Sequence, residues 1–562
     1  MNNLEFAHSV TPRPILEIGE LLGLQHDELV PYGRDKAKIS LLALDRLTNC
    51  PTGRYVLVTA MNPTPLGEGK TTTALGLAMA LHQQGHRAVV TLRQPSLGPV
   101  FGIKGGGSGG GRAQVIPMEA VNLHLTGDAH AVTASHNLLS AFVDNHLFHG
   151  NSLNLDPKQI TWPRAMSVSD RALRQVQIEA AEGASQRKAQ FVITEASEVM
   201  AVLALALNRT DLRRRLGRII VGLTRDGTPV TAEELACAGA MAVLLKDALS
   251  PNLLQTLEGT PAIVHTGPFG NIAHGNCSIL ADAVALHCAD YAITEAGFGS
   301  ELGAEKFFDI KCRVSGFRPD AAVVVATLRA LKLHGSAGAV KAGAPLPGGL
   351  TEPSRESLLR GMANLEQHVA NVQAFGIPVV VGINAFRDDP EHELQYVRER
   401  AIAAGAVDSA ITTAWAEGGK GALELARAVV AACQRPAKYA PLYEDSAPIR
   451  QKIEIIARRM YGASGVTYED RAVAEIERAT RLGFAHLPIC MAKSPLSLSH
   501  DPKLKGRPSG FMLPVKELRI LAGAGFLTAI CSGIQLMPGL PQRPIGEQMD
   551  LDSETGRVVG LS

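Results

Sequence analysis

One stretch near the N-terminus constrains the fold more than any other. The apolar, β-branched run 55–60 predicts a buried strand, and the turn pair Asn62-Pro63 ends it. Two glycines follow within 67–69, and strong helix formers over 72–84 predict a helix that Gly85 terminates. A second strand is predicted at 87–92. Strand, glycine loop, helix and strand in this order indicate a unit of a parallel α/β sheet.

The glycine loop predicts a phosphate-binding site. Backbone N–H groups of such a loop close around phosphate oxygens, and the helix N-terminus adds its positive dipole end. Thr64 stands where the strict P-loop pattern has its first glycine, so the context of strand and helix carries the prediction. Lys70 can reach the outer phosphates, and the hydroxyl of Thr71 or Thr72 can hold Mg²⁺. The predicted nucleotide-binding residues are Thr64, Pro65, Leu66, Gly67, Glu68, Gly69, Lys70, Thr71 and Thr72. The alternative is an ordinary strand-to-helix turn.

Charge and composition exclude several classes of protein. The 55 basic and 54 acidic residues leave a net charge of +1, which does not favour nucleic acid or a membrane surface as a partner. The eight cysteines are scattered without a Cys-x-x-Cys pair, as in proteins of a reducing compartment. The N-terminus lacks the features of a signal peptide, and no apolar run is long enough to span a membrane. We therefore expect a cytoplasmic protein.

Strands and helices continue to alternate after the first unit. Further strand cores are predicted at 191–193, 218–221, 262–264, 291–293, 322–325 and 378–383, and helices at 231–248, 277–288 and 354–375. The pattern predicts an α/β fold with a doubly wound, mostly parallel sheet of P-loop type and additional smaller α/β domains. A Gly-, Ala- and Pro-rich stretch at 335–352 suggests a boundary. We predict a nucleotide-binding domain at 1–345 with N-terminal helices, a second α/β domain at 346–450 and a C-terminal domain at 451–562.

Arg93 is predicted to end the strand next to the glycine loop's strand. Ligands bind at the carboxyl edge of such sheets, where an arginine can grip a phosphate or carboxylate. A structural salt bridge is the alternative. The glycine run 105–111, flanked by Lys104 and Arg112, suits either a flexible linker or close approach of backbone to an anion.

Two further sets of residues are candidates for the site. The five histidines between 124 and 149 match no zinc motif, and we expect His124, beside Asp128, to handle a proton or donate a hydrogen bond at the sheet edge. Phe386 and Trp415 stand in predicted loops of a chain that is only 4% aromatic. Their rings suggest stacking on a flat heterocycle, with simple packing as the alternative.

Several long motifs resemble one family closely, the formate–tetrahydrofolate ligases. They lie at 64–73, 92–107, 122–128, 295–299, 305–313 and 537–541. The resemblance implies ATP-dependent ligation of formate to N10 of tetrahydrofolate through formyl phosphate, which yields 10-formyltetrahydrofolate, ADP and phosphate. No other catalytic region precedes the glycine loop, so the stand-alone form of the ligase is expected.

The resemblance also implies roles for residues. Gly67, Gly69 and Lys70 would bind the β- and γ-phosphates, and Thr71 or Thr72 would hold Mg²⁺. Arg93 would hold the acyl phosphate, the glycine run would line the cleft, and Phe386 and Trp415, in the second domain, would sandwich the pterin. A homotetramer and stimulation by a monovalent cation are likewise implied.

Two other functions fit the glycine loop. One is a P-loop ATPase that switches conformation to organise partners, which would hydrolyse ATP without formate or folate. The other is a different ATP-dependent ligase that forms an acyl phosphate on a larger carboxylate.

Overall fold

The fold was analysed in a computed structural model that describes residues 2–48, 50–65, 67–179, 187–336, 350, 354–531 and 533–561. Its centre is a sheet of twelve strands. The predicted strand at 55–60 is confirmed as Arg54–Ala60, and the predicted helix that follows is confirmed as Lys70–Gln83.

The strands in chain order are β1 Leu29–Pro31, β2 Ala37–Ile39, β3 Arg54–Ala60, β4 Ala88–Leu92, β5 Gly109–Gly110, β6 Ala113–Ile116, β7 Leu155–Ile160, β8 Arg164–Met166, β9 Val176–Ile178, β10 Arg187–Ala189, β11 Phe191–Ile193, β12 Ile220–Thr224, β13 Pro229–Thr231, β14 Asn252–Thr256, β15 Pro261–Val264, β16 Tyr291–Glu295, β17 Ala321–Ala326, β18 Val379–Asn384, β19 Asp408–Thr412, β20 Gly465–Tyr468, β21 Ile489–Ala492, β22 Met512–Val515, β23 Glu517–Leu521, β24 Phe526–Ile530, β25 Asp550–Leu551 and β26 Val558–Val559.

The helices in chain order are α1 Asn3–His8, α2 Ile15–Leu21, α3 Leu42–Leu47, α4 Lys70–Gln83, α5 Leu97–Pro99, α6 Met118–Asn122, α7 Asp128–Phe148, α8 Glu198–Leu205, α9 Arg209–Gly217, α10 Ala238–Leu244, α11 Ile279–Cys288, α12 Arg313–Ser315, α13 Leu328–Gly335, α14 Arg355–Gln373, α15 Glu391–Ala403, α16 Ala414–Glu417, α17 Leu423–Cys433, α18 Ile449–Tyr461 and α19 Asp470–Arg481. Segments of π-helix lie at Val100–Lys104, Ser300–Ala304 and Phe307–Cys312.

The central sheet is mostly parallel. Its strands β15, β4, β16, β3, β17, β18 and β19 are neighbours in that order and all run parallel. Strands β14, β2 and β1 extend one edge in antiparallel pairs. After β3 the chain forms β4, which lies two places away on one side of β3. Strand β16 later fills the place between them, and β17 is then added on the other side of β3. The direction reverses beside β3, and ligands of open α/β sheets bind at the carboxyl ends of strands near such a reversal.

Helices cover both faces of this sheet. Successive residues of a strand point to opposite faces. Val56 and Val58 therefore pack in the apolar cluster that includes α4 and α17, while Tyr55 and Leu57 pack in the cluster that includes α11, α14 and α18. The mixed α/β class and the large, mostly parallel sheet are confirmed.

Not every predicted element forms as expected. Strands β18 and β19, which follow the predicted boundary near 345, continue the sheet that contains β3. The division into folding units stays a prediction, and most of 335–352 lies outside the described residues. Predicted strands 191–193 and 218–221 form, but in small separate sheets with β8 and with β7 and β13. The predicted helix 231–248 is helical only at Ala238–Leu244, because turns that end in Ala236 at φ +54° precede it.

The described C-terminal part forms three further small sheets, one of which pairs β25 with β26. Strand β20 pairs with β22, and β24 lies between β21 and β23. Helices α18 and α19 pack with them. Among the helices of the described ranges, none is long and apolar enough to cross a membrane.

Candidate active site

The loop between β3 and α4 is shaped by two glycines. Gly67 has φ +76° and Gly69 has φ +72°, a region that favours glycine. A Cβ atom on Gly69 would lie 2.2 Å from Nδ2 of Asn384, and this amide donates to the Glu68 carbonyl at 3.3 Å. The loop therefore crosses the carboxyl end of β18 at a distance that only glycine permits. Leu66, one of the predicted loop residues, lies outside the described residues.

The side chain of Glu68 closes the loop from within. Its Oε1 accepts a hydrogen bond from the main-chain N–H of Thr64 at 2.6 Å, and the side chain is buried. Burial raises the pKa of Glu68, whereas the nearby Lys70 ammonium acts to lower it. The carboxyl group is therefore a structural part of the loop.

Thr71 connects the start of α4 to the neighbouring strand. Its hydroxyl donates to Oε2 of Glu295 at 2.7 Å, and Glu295 is the last residue of β16. Thr72, the other predicted magnesium ligand, is buried in the helix. Among the residues the structure describes, no group of three or more His, Cys, Asp or Glu side chains is arranged to hold a metal. Glu295 stands at the end of a predicted strand, which is the signal that could have identified it as a site residue.

Arg93 lies across the end of β16. Its Nη1 donates to the carbonyl of Pro268 at 3.0 Å, and a Cβ atom on Gly297 would lie 2.9 Å from its Nη2. No carboxylate of the described ranges comes within salt-bridge distance, so the alternative of a structural ion pair has no support. Burial lowers the pKa of Arg93, and Glu295 opposes this shift.

Lys104 completes a cluster of cations. Lys104 is the last residue of the π-helical segment Val100–Lys104 and is exposed. The surrounding protein lowers the pKa of Lys104, and the neighbouring Arg93 and Lys70 lower it further. The charges of Lys70, Arg93, Glu295 and Glu68 are therefore close enough to act on Lys104.

The glycine run 105–111 is an ordered part of this edge. Gly109–Gly110 forms β5 and pairs with β6. A Cβ atom on Gly111 would lie 2.0 Å from the carbonyl oxygen of Trp415, and that oxygen accepts from the Arg112 N–H at 2.8 Å. The linker alternative is wrong, because the run packs against Trp415 of the short helix α16 that follows β19.

Phe386 and Trp415 follow neighbouring strands. Phe386 comes after β18, and the Arg329 guanidinium carbon lies 3.8 Å from its ring centroid. Trp415 comes after β19 but lies in the short helix α16, so the prediction of a loop there is wrong. Its ring is 48% exposed and contacts the ring of Phe6 edge-on, with centroids 6.0 Å apart. Both rings therefore lie at the same edge of the sheet as the glycine loop.

His124 does not pair with Asp128 as predicted. Its Nδ1 is 2.8 Å from Nε2 of the exposed His130. Asp128 is buried, where its carboxylate accepts hydrogen bonds from Lys38 at 2.8 Å and from Asn252 at 2.8 Å. The reason is Gly127, which has φ +89° and turns the first residue of α7 inward. In the described ranges, no hydrogen bond or ion pair joins His124 to Lys70 or Arg93.

Comparison with known proteins gives matches over the full length. The family model described as formate–tetrahydrofolate ligase matches residues 1–562. A protein of that name from Roseiflexus sp. (strain RS-1) is 55% identical over 564 residues, which cover 100% of both chains. One from Saccharopolyspora erythraea is 53% identical over 564 residues, 100% of this chain and 99% of the relative. One from Desulforamulus reducens is 51% identical over 562 residues, 100% and 99% respectively.

Proposed function

The chain belongs to the formate–tetrahydrofolate ligase family, and from that membership we propose which residues carry each step of the reaction. It is an ATP-dependent ligase that joins formate to tetrahydrofolate. The observation that carries the residue assignment is that Lys70 begins α4 and Arg93 directly follows β4, so both stand at the carboxyl edge of the parallel strands beside the glycine loop. The switch ATPase and the ligase for a larger carboxylate have no comparable support, because the match covers residues 1–562.

The reaction proceeds through formyl phosphate. The oxygen of formate is a poor leaving group, so a formate oxygen first attacks the γ-phosphorus of ATP and ADP departs. N10 of tetrahydrofolate then attacks the formyl carbon, the carbon–oxygen bond to phosphate breaks, and the nitrogen loses its proton. Such chemistry needs positioned reactants and positive charge around the transferring phosphoryl group.

The loop after β3 acts as a P-loop. The N-terminus of α4 faces the phosphates, and Lys70, its first residue, reaches the outer ones. Thr71 and Glu295 hold Mg²⁺, because a hydroxyl beside a carboxylate from the adjacent strand supplies the hard oxygen donors this ion prefers. When bound, Mg²⁺ would neutralise charge on the phosphoryl oxygens. Thr72 is not needed in this assignment, since it is buried.

Arg93 and Lys104 hold the acyl phosphate. The guanidinium is fixed by Pro268 and lies against Gly297, between the glycine loop and the loop after β15. Its planar fork suits two phosphoryl oxygens at once. Arg93→Ser should therefore keep ATP affinity and lose formyl transfer, while Arg93→Lys restores little because it keeps only the charge.

The test has two parts. ADP release is measured with formate and tetrahydrofolate omitted in turn, and we expect release to depend on formate. Nucleotide binding and ATP synthesis from ADP and carbamoyl phosphate, an analogue of formyl phosphate, are then measured on Arg93→Ser. Loss of nucleotide affinity with a normal back reaction would assign Arg93 to the nucleotide instead.

Phe386 and Trp415 bind the pterin between them. Their place after neighbouring strands at the site edge supports this role. Phe386→Ala and Trp415→Ala should each raise KM for tetrahydrofolate more than KM for ATP. The lost stacking should weaken the free energy of tetrahydrofolate binding by roughly 1 kcal/mol, in addition to the effect of the lost contact area. Equal changes in both KM values would indicate packing alone.

Several further properties belong to the same proposal. The enzyme works as a cytoplasmic homotetramer stimulated by a monovalent cation, and His124 handles a proton together with His130. The described cysteines are all unpaired, as in a reducing compartment. Light scattering and activity titrated with K⁺ test the tetramer and the cation.

A further inference from the structure

The loop that follows β15 contains polar side chains without partners. His274 and Asn276 are both 0% exposed. Neither ring nitrogen of His274 and neither amide atom of Asn276 has a hydrogen-bond partner among the described residues. Buried polar groups in native proteins are nearly always hydrogen bonded. Four unpartnered atoms on two neighbouring side chains therefore indicate that something else binds there.

This loop is fastened to the residues that carry Arg93. The Gly275 carbonyl, between the two side chains, accepts from the Gly297 N–H at 3.0 Å. Gly297 is the residue against which the Arg93 guanidinium lies, and Pro268 of the same loop accepts from Arg93. His274 and Asn276 thus flank the point at which the loop meets the support of Arg93.

The electrostatics of His274 agree with this placement. Burial lowers the pKa of His274 well below its usual value, and Lys311 and Arg93 lower it further. The ring is therefore neutral at physiological pH, with one N–H donor and one acceptor nitrogen. Arg93 is close enough to His274 for its charge to act on the ring.

The backbone around the loop is strained in the way functional sites often are. Phe298, which follows Gly297, has φ +59°, and Thr266 at the start of the loop has φ +53°. A Cβ atom on Gly270 would lie 3.2 Å from the Phe298 ring. Non-glycine residues at positive φ cluster at active sites and ligand clamps.

We propose that His274 and Asn276 bind the formate carboxylate beside Arg93 and hold it for attack on the γ-phosphorus. The proposal rests on the function given above and names its carboxylate subsite. The Asn276 amide N–H and the His274 ring N–H donate to formate oxygens, and Arg93 neutralises the charge. Formate is the smallest carboxylate, so a fully buried pair of binding groups also selects it against longer acids.

The test compares KM values of the full-length enzyme. Asn276→Leu and His274→Gln should raise KM for formate about 10- to 100-fold, the range for a lost hydrogen bond to a charged group. KM for ATP and for tetrahydrofolate should stay near wild type. Asn271→Leu is the matched control, because it makes the same change at a half-buried asparagine of the same loop. It should leave KM for formate unchanged.

A second variant guards against a failure to fold. Asn276→Asp is nearly isosteric and places a negative charge beside the formate, so KM for formate should rise further while thermal unfolding shows a folded protein. A wild-type KM for formate in both Asn276 variants, with ADP release still dependent on formate, overturns the subsite and leaves buried water as the partner. Equal increases in all three KM values also overturn it. ADP release without formate dependence in the wild type refutes the proposed function itself.

Discussion

Two loops at the same edge of the sheet differ in whether their buried polar side chains have hydrogen-bond partners. At the end of β3, the Asn62 N–H donates to Nε2 of His368 at 2.9 Å, and its Nδ2 donates to Oε1 of Glu301 at 2.7 Å. After β15, His274 and Asn276 are as deeply buried but have no partner among the described residues. The first loop is completed by the protein, which fixes the main chain before the glycine loop. The second is left for a ligand to complete.

The network around Asn62 draws on distant parts of the chain. Asn364 of α14 donates to Oδ1 of Asn62 at 2.9 Å. The side-chain amide of Asn62 in turn donates to the Pro495 carbonyl at 3.1 Å. Lys493 donates to the Ser497 carbonyl at 2.6 Å and lies 3.4 Å from Glu301. Burial raises the pKa of Glu301, and Lys493 opposes this shift. The C-terminal segment therefore braces the strand that positions the phosphate loop.

The largest expected effect comes from breaking this brace. Lys493→Met leaves Glu301 buried without its cation, and removal of one partner of a buried ion pair costs about 3–5 kcal/mol of stability. KM for ATP should rise as well, because the loop loses its support. Urea denaturation and steady-state kinetics measure the two effects.

A matched variant tests whether that effect is local. Lys38→Met breaks another buried pair, with Asp128 at 2.8 Å, near the antiparallel edge of the sheet. It should cost similar stability and leave KM for ATP unchanged. An equal rise in KM for ATP would show general loosening and remove the special role of the Asn62 network.

The next largest effect is expected on turnover alone and not on stability. Lys70→Ala removes a cation proposed to face the transferring phosphoryl group, a contact worth about 3–4 kcal/mol in the transition state. Stability should change little, because Lys70 is only half-buried and has no ion pair in the described ranges. The pair of lysine variants thus separates support of the loop from catalysis on it. A folded Lys70→Ala enzyme with normal turnover would remove the glycine loop from the mechanism.

Much of the architecture follows from local sequence. The run 55–60, the glycines at 67 and 69 and the helix formers after them each match what β3, the loop and α4 require. The carboxyl-edge position of Arg93 followed from the same reading. These features depend on residues that are close in sequence, so periodicity and turn chemistry are sufficient to predict them.

Long-range contacts could not be predicted in this way. Nothing in the sequence pairs Thr71 with Glu295, or Asn62 with Glu301 and His368, because hundreds of residues separate the partners. The sequence likewise does not predict that Asn276 is buried without a partner, since a polar residue in a glycine-rich loop is usually solvated. The contact of His124 with His130 could not be predicted either, because it depends on a glycine at positive φ that turns Asp128 away.

The smallest expected effect is a difference in stability between two histidine variants, one from each loop. Because Nε2 of His368 accepts from Asn62, its ring proton lies on Nδ1, 2.8 Å from Oγ of Ser300. His368→Gln disturbs both bonds and should cost about 1–2 kcal/mol at pH 7.5. His274→Gln disturbs no bond to the described protein and should cost less. Equal costs at pH 7.5 would mean that protein partners are not what distinguishes the loops.

Lower pH should affect both histidines alike. Burial holds the pKa of His368 and of His274 well below the usual value of about 6.5, so as pH falls below that value the unfolded chain binds a proton that the folded protein does not. The stability that each histidine contributes is therefore complete only well above pH 6.5 and falls below it, with a slope that approaches about 1.4 kcal/mol per pH unit. Glutamine does not titrate, so the stability of each variant relative to wild type should improve by about 1 kcal/mol between pH 6.5 and 5.5. Urea denaturation at pH 7.5, 6.5 and 5.5 checks the slope, and a slope confined to His368 would show that His274 is not buried in solution.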